Sequence, residues 1–149
     1  MIQPETIAGK GALKPFTCLI VDDSEFARLH LMEMMTELMS ELEGIKFETA
    51  VGGLEAIEIY EKLRPDLVMM DIVMPGLDGV ETVRRICQSD PGARIIMVSS
   101  LSYQEKVKQA IVAGARHFVV KPIKPEILYR VVVDVLKEPQ RQKEQKESL

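Results

Sequence analysis

The segment LVMMDIVMPGLDG, residues 67–79, carries the strongest structural signal in this chain. Its first four residues are apolar, as expected for a short strand that is buried on both faces of a parallel sheet. Asp71 ends the apolar run, and the loop after it contains proline and two glycines, which are typical of a turn. The segment therefore predicts a buried strand that places a carboxylate at its carboxyl end.

The same pattern, an apolar run followed by a helical segment, occurs five times along the chain. The predicted strands cover about 16–21, 45–50, 66–71, 94–99 and 116–120. The first predicted helix begins after the cap Ser24 and extends to about Leu42. The other four predicted helices cover about 54–63, 78–88, 102–113 and 125–137. In the second helix, Leu54, Ile57 and Leu63 fall at helical spacing. Alternating strands and helices predict an α/β fold with a parallel sheet covered by helices on both faces.

The composition is that of an ordinary globular domain. At 149 residues we expect a single folded unit. The net charge of −4 argues against direct binding of nucleic acid, and no apolar run is long enough to span a membrane. The N-terminus lacks the pattern of a signal peptide, so a cytoplasmic location is expected. Cys18 and Cys87 are expected to be buried thiols rather than a disulfide.

Polar side chains stand where four of the predicted strands end. Asp22 and Asp23 follow the first strand, Asp71 ends the third, Ser99 ends the fourth and Lys121 follows the fifth. Because parallel strands share one carboxyl edge, three carboxylates, a hydroxyl and an ammonium group should converge there. Each group alone could be a helix cap, a turn residue or a solvated side chain. Together they predict a site for a divalent metal and a phosphoryl group.

The motifs around these residues resemble the receiver domain of bacterial two-component response regulators. They are VDDS at 21–24, MDIVMPGLDG at 70–79, VSS at 98–100 and KP at 121–122. The resemblance implies a flavodoxin-like, doubly wound sheet of five parallel strands in the order 2-1-3-4-5. It also implies a switch protein of the chemotaxis type, which is not an enzyme except in catalysing its own phosphorylation and dephosphorylation.

The resemblance covers about residues 16–137, which would form the receiver domain. Residues 1–15 would then be an N-terminal arm, and residues 138–149 a charged flexible tail. The expected partners are a sensor histidine kinase or a histidine phosphotransfer protein, and a downstream effector protein or a second copy of the chain. Direct contact with nucleic acid or membrane is not expected.

Roles for the site residues follow from their chemistry and from the resemblance. Asp71 would accept the phosphoryl group as a nucleophile. Mg²⁺ prefers oxygen ligands, so Asp23, Asp71 and the backbone carbonyl of Val73 would bind it directly, with Asp22 acting through a water molecule. Lys121 would place a fixed positive charge beside a phosphoryl oxygen.

The family resemblance also assigns a switch. The Ser99 hydroxyl would move to bond the phosphoryl group, the Ser100 backbone amide would approach it, and Phe118 would rotate into the vacated space. Phe118 could equally be a core residue. The output surface would combine the fourth helix, the fifth strand and the fifth helix. Arg116 and His117 replace the acidic residues usual in DNA-binding winged-helix regulators, so the dimer of those proteins is not expected here.

Two helices carry apolar residues beyond their core-facing stripes. In the first helix, Phe26, Leu29 and Met32 lie beside the core face formed by Ala27, Leu31, Met34, Met35 and Leu38. They could dock a phosphodonor protein, or the arm with Ile2, Ile7 and Leu13 could cover them. In the fifth helix, Tyr129 and Val133 lie beside the stripe of Leu128, Val131, Val132 and Val135. They could form a sticky flank, although peripheral packing is favoured.

Val73 and Leu101 would flank the path of the hydrolytic water in the family. Both are apolar, so we expect slow loss of the phosphoryl group. One alternative is a receiver cut from a larger regulator whose effector domain is missing. A phosphatase of the haloacid dehalogenase type is disfavoured, because it needs a second aspartate where Val73 stands. A pseudo-receiver is disfavoured because the acidic and lysine set is intact.

Overall fold

A five-stranded parallel sheet forms the centre of the protein. The computed structural model describes residues 15–40 and 44–139. The strands are β1 (Thr17–Val21), β2 (Lys46–Ala50), β3 (Leu67–Asp71), β4 (Ile95–Ser99) and β5 (His117–Val120). Their order is β2-β1-β3-β4-β5 and every pairing is parallel. The predicted doubly wound α/β fold and its strand order are therefore confirmed.

Five α-helices cover the two faces of this sheet. They are α1 (Glu25–Leu38), α2 (Gly53–Leu63), α3 (Gly79–Ser89), α4 (Gln104–Ala113) and α5 (Pro125–Lys137). Alternate strand residues point to opposite faces. Ile20 and Met69 therefore pack in one core layer with α1 and α5, whereas Leu19 and Met70 pack in the other with α2, α3 and α4.

Two helix ends differ from the prediction. The hydroxyl of Ser24 caps α1 as expected, accepting from the Ala27 amide at 3.2 Å. The helix ends at Leu38 rather than near residue 42, because Met39 leaves the helical conformation and is buried in the core. The α4 helix begins later than predicted, at Gln104, because a 3₁₀ turn occupies residues 101–103. Residue 42, residues 1–14 of the arm and residues 140–149 of the tail lie outside the described residues.

The face of α2 that packs against the sheet does not include the two leucines of its apolar pattern. Of the three apolar residues at helical spacing, Ile57 packs against the core, whereas Leu54 is 62% exposed and Leu63 is also exposed. The reason is the close approach of α3. A Cβ atom on Gly53 would lie only 2.2 Å from the Thr82 hydroxyl oxygen. Only small groups fit at this contact, so the leucines face outward.

The α5 helix packs as one of the two predicted alternatives. Tyr129 and Val133 are half-buried against the same core cluster as the central stripe of the helix, which favours peripheral packing over a sticky flank. Both cysteines are buried thiols, as predicted. Among the described helices, none has the length and apolar character to cross a membrane.

Arg116 occupies an unexpected position at the amino edge of the sheet. Its side chain is buried, and its Nη1 contacts the Glu138 carboxylate at 3.0 Å. Arg94 donates from Nη2 to the Glu138 carbonyl oxygen at 2.8 Å. The two arginines thus attach the end of α5 to the starts of β4 and β5. Arg116 is therefore not part of an exposed output face.

Candidate functional site

Three aspartates converge at the carboxyl edge of the sheet. Carboxylate oxygens of Asp22, Asp23 and Asp71 all lie within 4.8 Å of one another. Asp22 is buried, Asp71 is half-buried and Asp23 is exposed. The backbone fixes this arrangement, since the Asp22 amide donates to the Ala50 carbonyl at 3.1 Å and continues the β1–β2 ladder past the strand end. The cluster therefore opens to solvent on the Asp23 side.

Lys121 brings a positive charge to this cluster. Its Nζ lies 3.4 Å from Oδ2 of Asp22 and 3.6 Å from Oδ1 of Asp71. The Lys121 amide donates to the Ser99 carbonyl at 2.8 Å, which holds the residue beside the end of β4. The peptide bond between Lys121 and Pro122 is cis. The ammonium group thus contacts two of the three clustered carboxylates, which together keep an excess of negative charge over Lys121.

The electrostatics of Asp71 show this excess. Burial raises the pKa of Asp71 above its ordinary value, and the neighbouring charge of Asp22 raises it further. Lys121 and the backbone N–H of Ile72, which donates to Oδ1 at 2.9 Å, lower this pKa but do not offset the rise. A set of carboxylate oxygens with uncompensated charge fits a hard divalent cation.

The loop after Asp71 is held in place by a close contact that sequence reasoning missed. A Cβ atom on Gly79 would lie 2.3 Å from the carbonyl oxygen of Asp71. The Gly79 amide donates to the Ile72 carbonyl at 2.9 Å, and Asp78 caps α3 by accepting from the Glu81 amide at 3.0 Å. Only glycine allows the start of α3 to pack this closely against the end of β3. Its place after the capping residue was the available signal.

Ser99 and Phe118 line one cavity of about 240 Å³ between the end of β4 and α4. The buried Ser99 hydroxyl donates to the carbonyl of Ser100 at 3.2 Å. Phe118 is 42% exposed, so its ring is not a core residue in this conformation. The serine hydroxyl and the exposed aromatic ring are therefore connected by empty space.

A second cavity, of about 320 Å³, separates the acidic cluster from α1. Asp22, Asp71 and Lys121 form its polar side, and apolar residues of α1 form the other. His30 also lines it and stacks on the exposed ring of Phe26, with ring centroids 6.0 Å apart. Its spacing of four residues from Phe26 was the signal for the pair.

The two residues expected to control water access both face outward. Val73 is 48% exposed, and Leu101, on the 3₁₀ turn before α4, is 64% exposed. The role of the Val73 carbonyl as a metal ligand stays a prediction, as does the approach of the Ser100 amide to a phosphoryl group. What the structure brings together is the acidic cluster with Lys121, and separately Ser99 with Phe118.

Comparisons with known proteins agree with this geometry. Residues 18–133 match the family model described as the response regulator receiver domain. The chemotaxis protein CheY of Thermotoga maritima is 43% identical over 107 residues, which are 72% of this chain and 86% of that protein. CheY of Halobacterium salinarum is 45% identical over 121 residues, covering 79% of this chain and 94% of its own length.

Solved structures show the same likeness. The CheX–CheY–BeF3–Mg complex from Borrelia burgdorferi contains a chain that is 35% identical, with a TM-score of 0.76. The match covers 91% of this chain and 98% of that one. Chemotaxis protein CheY4 of Vibrio cholerae matches with a TM-score of 0.71 and 28% identity over 82% of this chain and 99% of its own. The chain therefore belongs to the response regulator receiver domain family and is a CheY-like member of two-component signalling.

Proposed function

We propose that this protein is a phosphorylation switch in which Asp71 accepts a phosphoryl group from a histidine kinase or a histidine phosphotransfer protein. The observation that carries the proposal is the cluster of three carboxylates with Lys121 at one edge of the sheet, in a chain of the receiver family. We place the switch in residues 16–137, between the N-terminal arm and the charged tail.

Mg²⁺ is the cofactor that this donor set favours. Asp23, Asp71 and the backbone carbonyl of Val73 would hold it directly, and Asp22 through water. When bound, Mg²⁺ offers positive charge that offsets the repulsion between the carboxylates and an incoming phosphoryl group. The raised pKa of Asp71, caused first by burial and then by Asp22, supports the need for such a cation.

The proposed transfer is a substitution at phosphorus. A carboxylate oxygen of Asp71 forms a bond to the phosphorus as the bond from phosphorus to the donor histidine nitrogen breaks. The electron pair of the broken bond stays on that nitrogen, and the donor histidine, whose other ring nitrogen carries a proton, leaves as a neutral imidazole. Lys121 remains protonated and lies where it can pair with a phosphoryl oxygen, because its Nζ is already 3.6 Å from Oδ1 of Asp71.

The signal then passes through Ser99 to the output face. In this proposal the Ser99 hydroxyl leaves the Ser100 carbonyl for the phosphoryl group, which the Ser100 amide also approaches. Phe118 then moves inward. The cavity of about 240 Å³ supports this movement, because both side chains already line it. The surface formed by α4, β5 and α5 would change shape and so control binding of an effector protein or a second copy.

The phosphodonor is proposed to approach over α1. Phe26 is exposed beside the cavity that Asp22 and Asp71 line, so a helical partner could contact α1 while its histidine reaches the acidic cluster. Val73 and Leu101 are exposed and apolar and have no group that orients water. We therefore propose that the acyl phosphate is long-lived.

The test is phosphorylation by a small acyl phosphate in the presence of Mg²⁺, followed by intact mass. The wild-type protein should gain one phosphoryl group, and Asp71→Asn should gain none. Asp78→Asn is the matched control, because asparagine keeps the helix cap of α3 and Asp78 lies in the same loop. Equal labelling of Asp71→Asn and the wild type would remove the proposed function.

A further inference from the structure

A groove of about 660 Å³ runs along the outer side of α1, next to the edge strand β2. Its lining combines three apolar residues, two glutamates and one threonine: Leu29, Met32, Phe47, Glu33, Glu37 and Thr36. Met32 and Phe47 pack from the groove onto the core cluster, whereas Leu29 is 53% exposed. The groove thus extends an apolar surface outward from the core and borders it with negative charge.

The chain enters the described structure beside this groove. Phe16 is buried, and its carbonyl oxygen accepts from the Lys46 amide at 2.8 Å. One pair further along, Cys18 lies opposite Phe47 in the β1–β2 register. The first described residues, Pro15 and Phe16, therefore lie beside the strand that forms one wall of the groove.

Residues 1–14 are long enough to follow the groove. Fourteen extended residues span about 46 Å, whereas the groove along α1 from Leu29 to Glu37 covers about 12 Å of helix. A segment of this length reaches all of the lining residues of α1 even if several residues are used to leave the sheet.

The chemistry of residues 1–14 complements the groove. Ile2, Ile7 and Leu13 are its large aliphatic residues, and Lys10 and Lys14 outweigh a single glutamate. The segment is therefore positively charged, opposite in sign to the acidic border. On the β2 side the nearby cation Lys46 is paired with Glu48 at 3.7 Å, so it does not neutralise that border.

We propose that residues 1–14 of the N-terminal arm bind in the groove of their own chain. Their aliphatic side chains cover Leu29 and Met32, and their lysines lie against Glu33 and Glu37. This binding is additional to the phosphorylation switch and does not depend on it. The arm would take Leu29 out of the surface that α1 offers to other proteins, leaving the end of α1 that carries Phe26 uncovered.

A nitroxide spin label on the full-length chain tests this binding. Both native cysteines are buried, so Ala8→Cys gives one reactive thiol for the label and keeps the aliphatic side chain of Ile7. We expect paramagnetic broadening of backbone amides at residues 29–37 and at Phe47. The same label on Ser148→Cys, in the tail at the other end of the chain, is the control and should leave these amides sharp. A label at Ala8→Cys that broadens no amides of the groove overturns the proposal.

Charge reversal sharpens the test. Glu33 and Glu37 are exposed, so replacing both with lysine leaves the core intact. The replacement should reduce the broadening about threefold, the loss expected from two surface ion pairs. Adding Lys10→Glu and Lys14→Glu should restore it. Unchanged broadening in the Glu33→Lys, Glu37→Lys variant contradicts the charge pairing that the proposal needs.

A mixture of two kinds of labelled chain distinguishes binding within one chain from binding between two copies. A sample that combines spin-labelled chains without nitrogen-15 and nitrogen-15 chains without the label reports only contacts between molecules. We expect no broadening at residues 29–37 in this mixture, because the segment binds within its own chain. Broadening there as strong as in the doubly labelled chain would mean that a second copy fills the groove, and it would overturn binding within the chain.

Discussion

Asp71 and Asp90 lie at opposite edges of the same sheet and have opposite surroundings. Burial raises the pKa of Asp71, and the nearby charge of Asp22 adds to the rise. Burial alone would also raise the pKa of Asp90. Hydrogen bonds from the Tyr60 hydroxyl at 2.6 Å and the Gly92 amide at 3.0 Å reverse that effect and lower it.

The two edges of the sheet also differ in how many of their acidic side chains have basic partners. At the amino edge, Arg64 contacts Asp90 at 3.0 Å and Arg116 contacts Glu138 at 3.0 Å, so acids have basic partners. At the carboxyl edge, within the described residues, Lys121 is the one side chain that forms salt bridges with the three clustered aspartates, and it contacts two of them, Asp22 and Asp71. Carboxylates with complete partners hold elements together. Carboxylates whose negative charge exceeds that of their basic partners are available for a cation and for chemistry.

Removing Lys121 should have the largest effect, because it takes away the only ammonium group that contacts the acidic cluster among the described residues. We expect Lys121→Ala to slow phosphorylation by a small acyl phosphate about 100-fold, the usual effect of losing one charge-stabilising donor. The rate is measured by intact mass over time. Lys106→Ala, which removes a lysine paired with Asp78 instead, should stay close to the wild type. Similar rates for both variants would show that the charge of Lys121 does not assist phosphorylation of Asp71.

Adding a polar group at the carboxyl edge should have the next largest effect. Val73→Asn places an amide where it can orient water near Asp71, so the acyl phosphate should be lost about tenfold faster, a change of about 1.4 kcal/mol in the barrier. The loss of phosphoryl mass after removal of the donor measures the rate. Val51→Asn, at another exposed valine, is the control. A lifetime unchanged by Val73→Asn would contradict the assigned role of this position.

Matched substitutions at the two edges should change the free energy of unfolding in opposite directions. Asp90→Asn loses a charge that accepts from Tyr60 and pairs with Arg64, so we expect a loss of about 1 kcal/mol. Asp71→Asn removes repulsion from Asp22 and should stabilise the metal-free protein. Urea unfolding in the presence of a chelator measures both. A destabilised Asp71→Asn protein would contradict the excess charge at the carboxyl edge.

The smallest expected effect is a pH dependence at the amino edge. The folded-state pKa of Asp90 lies below its ordinary value of 3.8, so its charge stabilises the fold fully above that pH and loses this effect as the pH falls below it. The difference in unfolding free energy between the wild type and Asp90→Asn should therefore be equal at about pH 7 and pH 5 and smaller at about pH 3. A difference that stays constant down to pH 3 would show that the charge of Asp90 is not involved.

The sheet was predictable because its signal is continuous. The run before Asp71 predicted a strand at about 66–71, and β3 covers Leu67–Asp71. Burial on both faces leaves no polar residue inside such a strand, so its bounds are visible in the sequence. The end of α1 was less visible. It depends on Met39 entering the core, which residues distant in sequence make possible.

Packing partners explain the remaining differences. The leucines of α2 are exposed because Gly53 lies against Thr82, a contact between two helices that helical spacing alone does not contain. Arg116 is buried because Glu138, 22 residues later, lies against it. In both cases the deciding neighbour comes from another element of the fold.

The sequence by itself determined where the strands lie along the chain and which residues stand at their carboxyl ends, because a two-sided core requires apolar runs and a parallel sheet aligns their ends. The spatial order of the strands followed from the family resemblance. Only the tertiary structure decided how close those residues come. Lys121 and Asp22 are separated by 99 positions in the chain, yet their side chains lie 3.4 Å apart. The raised pKa of Asp71 and the cavity between Ser99 and Phe118 likewise depend on desolvation and distance, which exist only after the elements have packed.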